Sequence, residues 1–139
     1  MARIIAIDYG SKRVGLAVTD PLQMIAGPLD TIHSKDVIAY LKTYMEREEV
    51  SLFVLGKPLQ MDGSDSESAR LVENFLSLLR KNFPAVPVER VDERFTSKMA
   101  QRTLVDAGKK KKDRQDKSLL DKVSATLILQ SYLDSRMYR

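Results

Sequence analysis

Three carboxylates far apart in this sequence, Asp8, Glu93 and Asp121, are the residues whose type and placement could carry a reaction. Asp8 ends an apolar run, Ile4-Ile5-Ala6-Ile7, and is followed within five residues by Lys12 and Arg13. Glu93 sits in Asp92-Glu93-Arg94, directly after a short strand-like stretch. Asp121 shares a helical stripe with Ala125, Ile128 and Tyr132, so an acid lies on an otherwise core-facing surface. Phosphodiester hydrolysis at neutral pH needs a deprotonated water, charge relief in a phosphorane-like transition state and a stabilised leaving oxygen. Two divalent ions roughly 3.5–4 Å apart supply all three, and hard ions held that close need several carboxylate oxygens. The composition narrows the metal. With no cysteine and one histidine, His33, thiolate nucleophiles, disulfides and multi-histidine or cysteine zinc sites are excluded, which leaves magnesium or manganese on oxygen ligands. Each acid also has a plainer reading: Asp8 as a strand-ending turn residue, Glu93 as the partner of Arg94 on the surface, Asp121 as the last member of a Ser118-to-Asp121 capping box.

The elements that must position these acids follow from hydrophobic period. Ile4 to Ile7 suits a strand buried on both faces, and Val14 to Thr19 resumes a strand after a Gly10-containing bend, so the first twenty residues read as a hairpin with Asp8 at its turn. Met24 to Ile32, interrupted by Gly27 and Pro28, reads as an edge strand. Ser34 to Glu49 has helical spacing at Val37, Ile38, Leu41 and Met45, with Ser34 as its cap. Ser51 to Gly56 is a strand, and Lys57 to Gly63 a loop. Ser64 to Glu67 has capping-box spacing ahead of a helix to about Lys81. Val88 to Val91 is a further strand, Thr96 or Ser97 caps a helix to Ala107, and Ser118 to Arg136 forms the last helix. The order predicts one α/β domain over 1–139 with a mixed five-stranded sheet flanked by helices. Right-handed crossovers make the strands at Arg3, Ser51 and Val88 parallel, which brings Asp8 and Glu93 to one edge and leaves Asp20 at the opposite one. Alternation does not decide whether Asp92 or Glu93 points inward.

Charge is concentrated. Lys98 to Lys117 holds eight basic residues and three acids, a net +5, while the remainder carries −1. Such focusing suits a polyanion-binding surface, although a solvated, charge-rich linker would look the same. No apolar run approaches the ~20 residues of a membrane span, and charges arrive too early for a secretory signal, so a soluble cytoplasmic protein is expected. No stretch announces a dimer interface. Tyr9 and the methionines Met24, Met45, Met61 and Met99 read as packing residues, and His33 as a polar strand-end residue.

Four segments together resemble the bacterial YqgF family: Asp8-Tyr9-Gly10-Ser11-Lys12-Arg13-Val14-Gly15-Leu16-Ala17, Gly56-Lys57-Pro58, Asp92-Glu93-Arg94-Phe95-Thr96-Ser97 and Asp121-Lys122-Val123-Ser124-Ala125. The resemblance spans essentially the whole chain. Lys57, Ser97 and Ser124 depart from it, and none of these is an acid. Family members are described as Holliday-junction resolvases and as pre-16S ribosomal RNA nucleases of ribonuclease H-like fold. The resemblance therefore implies a hydrolase with Asp8, Glu93 and Asp121 as catalytic, metal-holding acids for two Mg2+ or Mn2+ ions, and structured RNA, ribosome precursors or branched DNA as partners. Lys12, Arg13 and Arg94 are then expected at phosphates near the cut, and Lys109, Lys110, Lys111, Lys112 and Arg114 in a mobile clamp. Two other readings are a non-catalytic nucleic-acid or ribosome-binding module and an actin-like phosphate-binding domain. The second is suggested by Asp8-Tyr9-Gly10 before a hairpin, but its two lobes need more than 139 residues.

Overall fold

The computed structural model describes residues 2–58, 68–93 and 117–137. In chain order these form β1 (Arg3–Tyr9), β2 (Arg13–Thr19), β3 (Ala26–His33), a short 3-10 turn (Ser34–Asp36), α1 (Val37–Met45), β4 (Val50–Lys57), α2 (Ala69–Asn82), β5 (Val88–Asp92) and α3 (Lys117–Met137). The sheet has five strands in the order β3-β2-β1-β4-β5. β1 pairs antiparallel with β2 and parallel with β4, and β5 lies parallel to β4. The expected mixed sheet, its parallel trio and the edge position of β3 are all present. Strand β3 carries a register shift opposite Leu16 and Ala17, where Pro28 follows Gly27.

Alternation along β1 divides the interior in two. Ile5 and Ile7 join Val14, Leu16, Phe53 and Leu55 in a core under α1 and α2, closed by Val37, Leu41, Phe75 and Leu79. Ile4 and Ala6 point the other way, with Ala17 and Val54, onto Ala125, Ile128, Leu129 and Leu133 of α3. Both faces of β1 are buried, which is why its sequence reads as a continuous apolar run instead of an alternating one. Tyr9 stacks on Phe75 of α2 with ring centroids 4.3 Å apart, so it packs on the protein as expected.

Helix starts differ from expectation where a side chain found a better partner. Ser34 does not cap α1: its hydroxyl donates to the Ser11 carbonyl at 2.8 Å and ties the helical corner to the β1–β2 turn. His33 caps the preceding 3-10 turn, with Nδ1 accepting from the Lys35 amide at 3.1 Å, and Asp36, at the N-cap of α1, makes no side-chain capping bond. Met24 is 70% exposed and fills no space; with Leu22 and Ile25 it crowns the β2–β3 turn. Asp20 folds that turn by accepting from the Leu22, Met24 and Ile25 amides, which holds its carboxyl below the ordinary range. This turn lies at the far end of β2 from the Asp8 bend. The proposed caps at Ser64, Thr96 and Ser97 lie outside the described residues, and among the described residues no helix is long and apolar enough to cross a membrane.

Candidate active site

Parity along the strands places the site on the α3 face of the sheet. Asp8 is in step with Ile4 and Ala6, the β1 residues that face α3, and it pairs across the hairpin with Gly15. Gly15 is in step with Ala17, and Gly56 on β4 with Val54, so two glycines floor this end of the sheet. Both are required by close approach. A Cβ on Gly15 would overlap the main chain of Asp121, and a Cβ on Gly56 would overlap the Glu93 carboxylate and come within 2.9 Å of Ile128 Cδ1. One glycine admits the helix turn that carries Asp121, and the other admits the side chain of Glu93.

Glu93 follows the last residue of β5, and its amide donates to the Lys57 carbonyl at 3.2 Å, extending the parallel ladder by one bond. Asp92 pairs with Lys57 in the register and is exposed, while Glu93 turns in over Gly56. The choice that alternation left open therefore falls on Glu93. Asp8 and Glu93 share a side-chain hydrogen bond. Burial, reinforced by the charge of Asp121, raises the Asp8 carboxyl to about 6. Burial, the Asp8 charge and the hydrogen bond to Asp8 raise Glu93 to about 8, against the opposing pull of Arg90. The two carboxyls titrate as a coupled pair, and at neutral pH the pair holds a proton.

Asp121 stands on the other side of Asp8. Helix α3 is already formed at Lys117, so Asp121 lies a turn inside it and Ser118 is a helical residue, not its N-cap. The Asp121 carboxylate accepts from Arg13 Nε at 2.8 Å. The expected triad is thus assembled around Asp8 but not closed. Among the described residues no three acid or histidine side chains are gathered tightly enough to hold one ion. Asp8 and Glu93 fit a divalent cation, because they are buried, hydrogen-bonded oxygen donors whose charges crowd one another; Asp121 is turned to a guanidinium.

Asp8, Gly10, Ser11, Lys12, Arg13 and Asp121 line an open cleft of about 240 Å3. Gly10 makes its tight turn by donating to the Arg13 carbonyl at 3.0 Å, and a Cβ there would come within 2.7 Å of that oxygen. Lys12 and Arg13 thus border the acids, as the sequence suggested. Arg94, Lys109, Lys110, Lys111, Lys112 and Arg114 lie outside the described residues. Sequence reasoning missed Arg90. It donates Nε to the Leu55 carbonyl at 3.2 Å and Nη1 to Glu73 at 2.8 Å, binding β5 to β4 and α2 while its charge favours an ionised Glu93. An arginine within a five-residue strand was the available signal.

Residues 2–135 match the family model described as "RuvX: Holliday junction resolvase". The chain belongs to the RuvX family. This is the YqgF family whose four motifs the sequence carries. Relatives include a Porphyromonas gingivalis protein, 53% identical over 135 residues, covering 97% of this chain and 98% of the relative. A Flavobacterium psychrophilum protein is 50% identical over 137 residues, covering 99% of this chain and all of the relative. Both are named "Putative pre-16S rRNA nuclease". Among solved structures, Thermus thermophilus RuvC in complex with a Holliday junction substrate superposes with a TM-score of 0.58 at 17% identity, covering 99% of this chain and 96% of that one. The fold is therefore ribonuclease H-like, as the resemblance implied.

Proposed function

We propose that this RuvX family member is a metal-dependent nuclease that hydrolyses phosphodiester bonds in structured RNA, with the 5′ end of precursor 16S ribosomal RNA as its substrate. The names of relatives about 50% identical over the whole chain support the RNA. The observation that carries the chemistry is the Asp8–Glu93 pair, two carboxylates sharing a proton beside Asp121 at the carboxyl edge of a parallel sheet. Asp8 and Glu93 are the residues that would hold Mg2+ or Mn2+, with Asp121 completing the oxygen set. A divalent ion bound there supplies Lewis acidity and a more acidic water.

The chain's own residues supply placement. Asp8 is positioned by a strand buried on both faces, and Glu93 by the ladder bond to Lys57. Lys12 and Arg13 bring positive charge to the mouth of the cleft, where a phosphodiester would enter. Arg94 and the Lys109–Lys112 and Arg114 cluster belong to the same reading, as further phosphate contacts from a single cytoplasmic domain.

A second substrate is favoured by the family description, which names a Holliday junction resolvase. Symmetric cutting of a four-way junction needs two copies of the site, so that reading also requires a dimer. The experiment that tests both is cleavage by purified protein of a precursor ribosomal RNA fragment and of a four-way DNA junction, with Mg2+ and Mn2+ tested separately. Metal-dependent cutting of the RNA that disappears in Asp8→Asn is the expected result. Cutting of the junction alone moves the assignment to branched DNA. Tight RNA binding that survives Asp8→Asn, with no cutting under either metal, replaces the enzyme with a binding module.

A further inference from the structure

Arg13 is committed twice in this site. Its Nε donates to Asp121 Oδ2 at 2.8 Å, and its side chain also lines the cleft beside Lys12. The Arg13 side chain is 45% exposed, whereas the Asp121 side chain it holds is 22% exposed. Asp121 is one of the three acids that the proposed function assigns to the divalent ion, and Arg13 is a cation that it assigns to the phosphodiester. A guanidinium that turns Nε and an Nη nitrogen as a fork onto a phosphodiester cannot keep Nε on Asp121. We propose that Arg13 is a latch on Asp121: it holds the carboxylate in the free protein, and an arriving phosphodiester draws the guanidinium away and releases Asp121 to share a cation with Asp8. This inference rests on the metal-dependent reading given above.

The backbone on both sides of the latch is held, so only side chains need move. The Arg13 carbonyl accepts from Gly10, and Arg13 pairs with His33 across β2 and β3. Two residues along the same strand, Gly15 seats the main chain of Asp121. The long arginine stem is the mobile part. Its contact with Asp121 runs through Nε to one oxygen, and an ion pair this exposed is easily exchanged. A guanidinium presents a planar fork that matches phosphate oxygens, and a phosphodiester carries the same single negative charge as the carboxylate it displaces. The exchange therefore keeps Arg13 paired while leaving the Asp121 carboxylate open to a cation. Phosphodiester and metal then reinforce each other's binding, and by linkage the coupling is reciprocal.

The test is Mn2+ affinity, measured by calorimetry and electron paramagnetic resonance on the full chain without nucleic acid. Wild type is compared with Arg13→Gln, Lys12→Gln and the double variant Arg13→Gln/Asp121→Asn, each shown by its melting curve to be folded. Lys12→Gln removes the same charge from the same cleft without touching the latch. Arg13→Gln is expected to bind Mn2+ about fivefold or more tightly than wild type. Lys12→Gln should gain distinctly less, and the double variant should lose the gain. A saturating uncleavable oligonucleotide should tighten Mn2+ binding in wild type by a larger factor than in Arg13→Gln. Equal gains in Arg13→Gln and Lys12→Gln would overturn the latch, because general electrostatics would then explain both. Identical affinities in all four proteins would overturn the latch and leave the metal reading standing, whereas no Mn2+ binding by any of them would overturn the two together.

Discussion

At the scale of single residues, the proton between Asp8 and Glu93 ties stability to function. Both carboxyls titrate above their ordinary values, to about 6 and about 8, so the folded protein binds more protons than the unfolded chain between about pH 4 and pH 8. Stability of the metal-free protein must therefore fall as pH rises through that window. Asp8→Asn removes one of the two crowded charges. It should be more stable than wild type at pH 8, by about 1–3 kcal/mol, and no more stable at pH 4, while its cleavage activity is lost. Urea unfolding at the two pH values, in the presence of a chelator, checks the sign. The same proton competes with metal. At pH 7 Mg2+ binding should release close to one proton, and apparent affinity should climb as pH rises toward 8. Calorimetry in buffers of different ionisation enthalpy counts that proton; a pH-independent affinity would mean that Glu93 is not a ligand.

At the scale of elements, the α3 face of the sheet is cut to fit the acids, and this can be tested by filling it. In Gly56→Ala the new methyl occupies the place of the Glu93 carboxylate and crowds Ile128, so Glu93 must leave the site. Overpacking of this kind costs about 1–3 kcal/mol, and cleavage should fall far more than the melting temperature does. Gly15→Ala pushes on the main chain of Asp121 and hence on α3 itself, so stability and activity should drop together. Gly27→Ala, with nothing within 4 Å of the added carbon, is the neutral control. These glycines also show how much was legible beforehand. The strands themselves, the Asp8 bend and the inward stripe of α3 were readable because burial on one or both faces leaves a period in the sequence. The Glu93 orientation was not, because it depends on space left by a residue more than thirty positions away. Nor was the loss of Ser34 as a cap, since its competing acceptor, the Ser11 carbonyl, is a tertiary contact. The Arg13–Asp121 pair joins residues 108 apart, and no local pattern announces it.

At the scale of the whole molecule, the site and the basic segment are tied together by topology. Glu93 directly follows β5, and Lys117 begins α3 one turn before Asp121, so the sequence between 94 and 116 is flanked by two of the acids. That stretch holds Arg94 and the lysines at 109–112, and all of the protein's net positive charge resides between Lys98 and Lys117. If these charges neutralise phosphates, they contribute to substrate binding through counterion release and leave the acids alone. Replacing Lys109 to Lys112 with glutamine should then reduce the slope of log affinity against log salt by up to about 0.9 per lost contact on duplex DNA, or about 0.7 on single strands. Because the acids are untouched, Mn2+ affinity and the cleavage rate at saturating substrate should be preserved, with the loss appearing in KM. Binding measured at several salt concentrations separates the two roles that composition allows. An unchanged slope would show that the four lysines serve solubility, and would leave Lys12 and Arg13 at the mouth of the cleft, with Arg94, to supply the phosphate contacts.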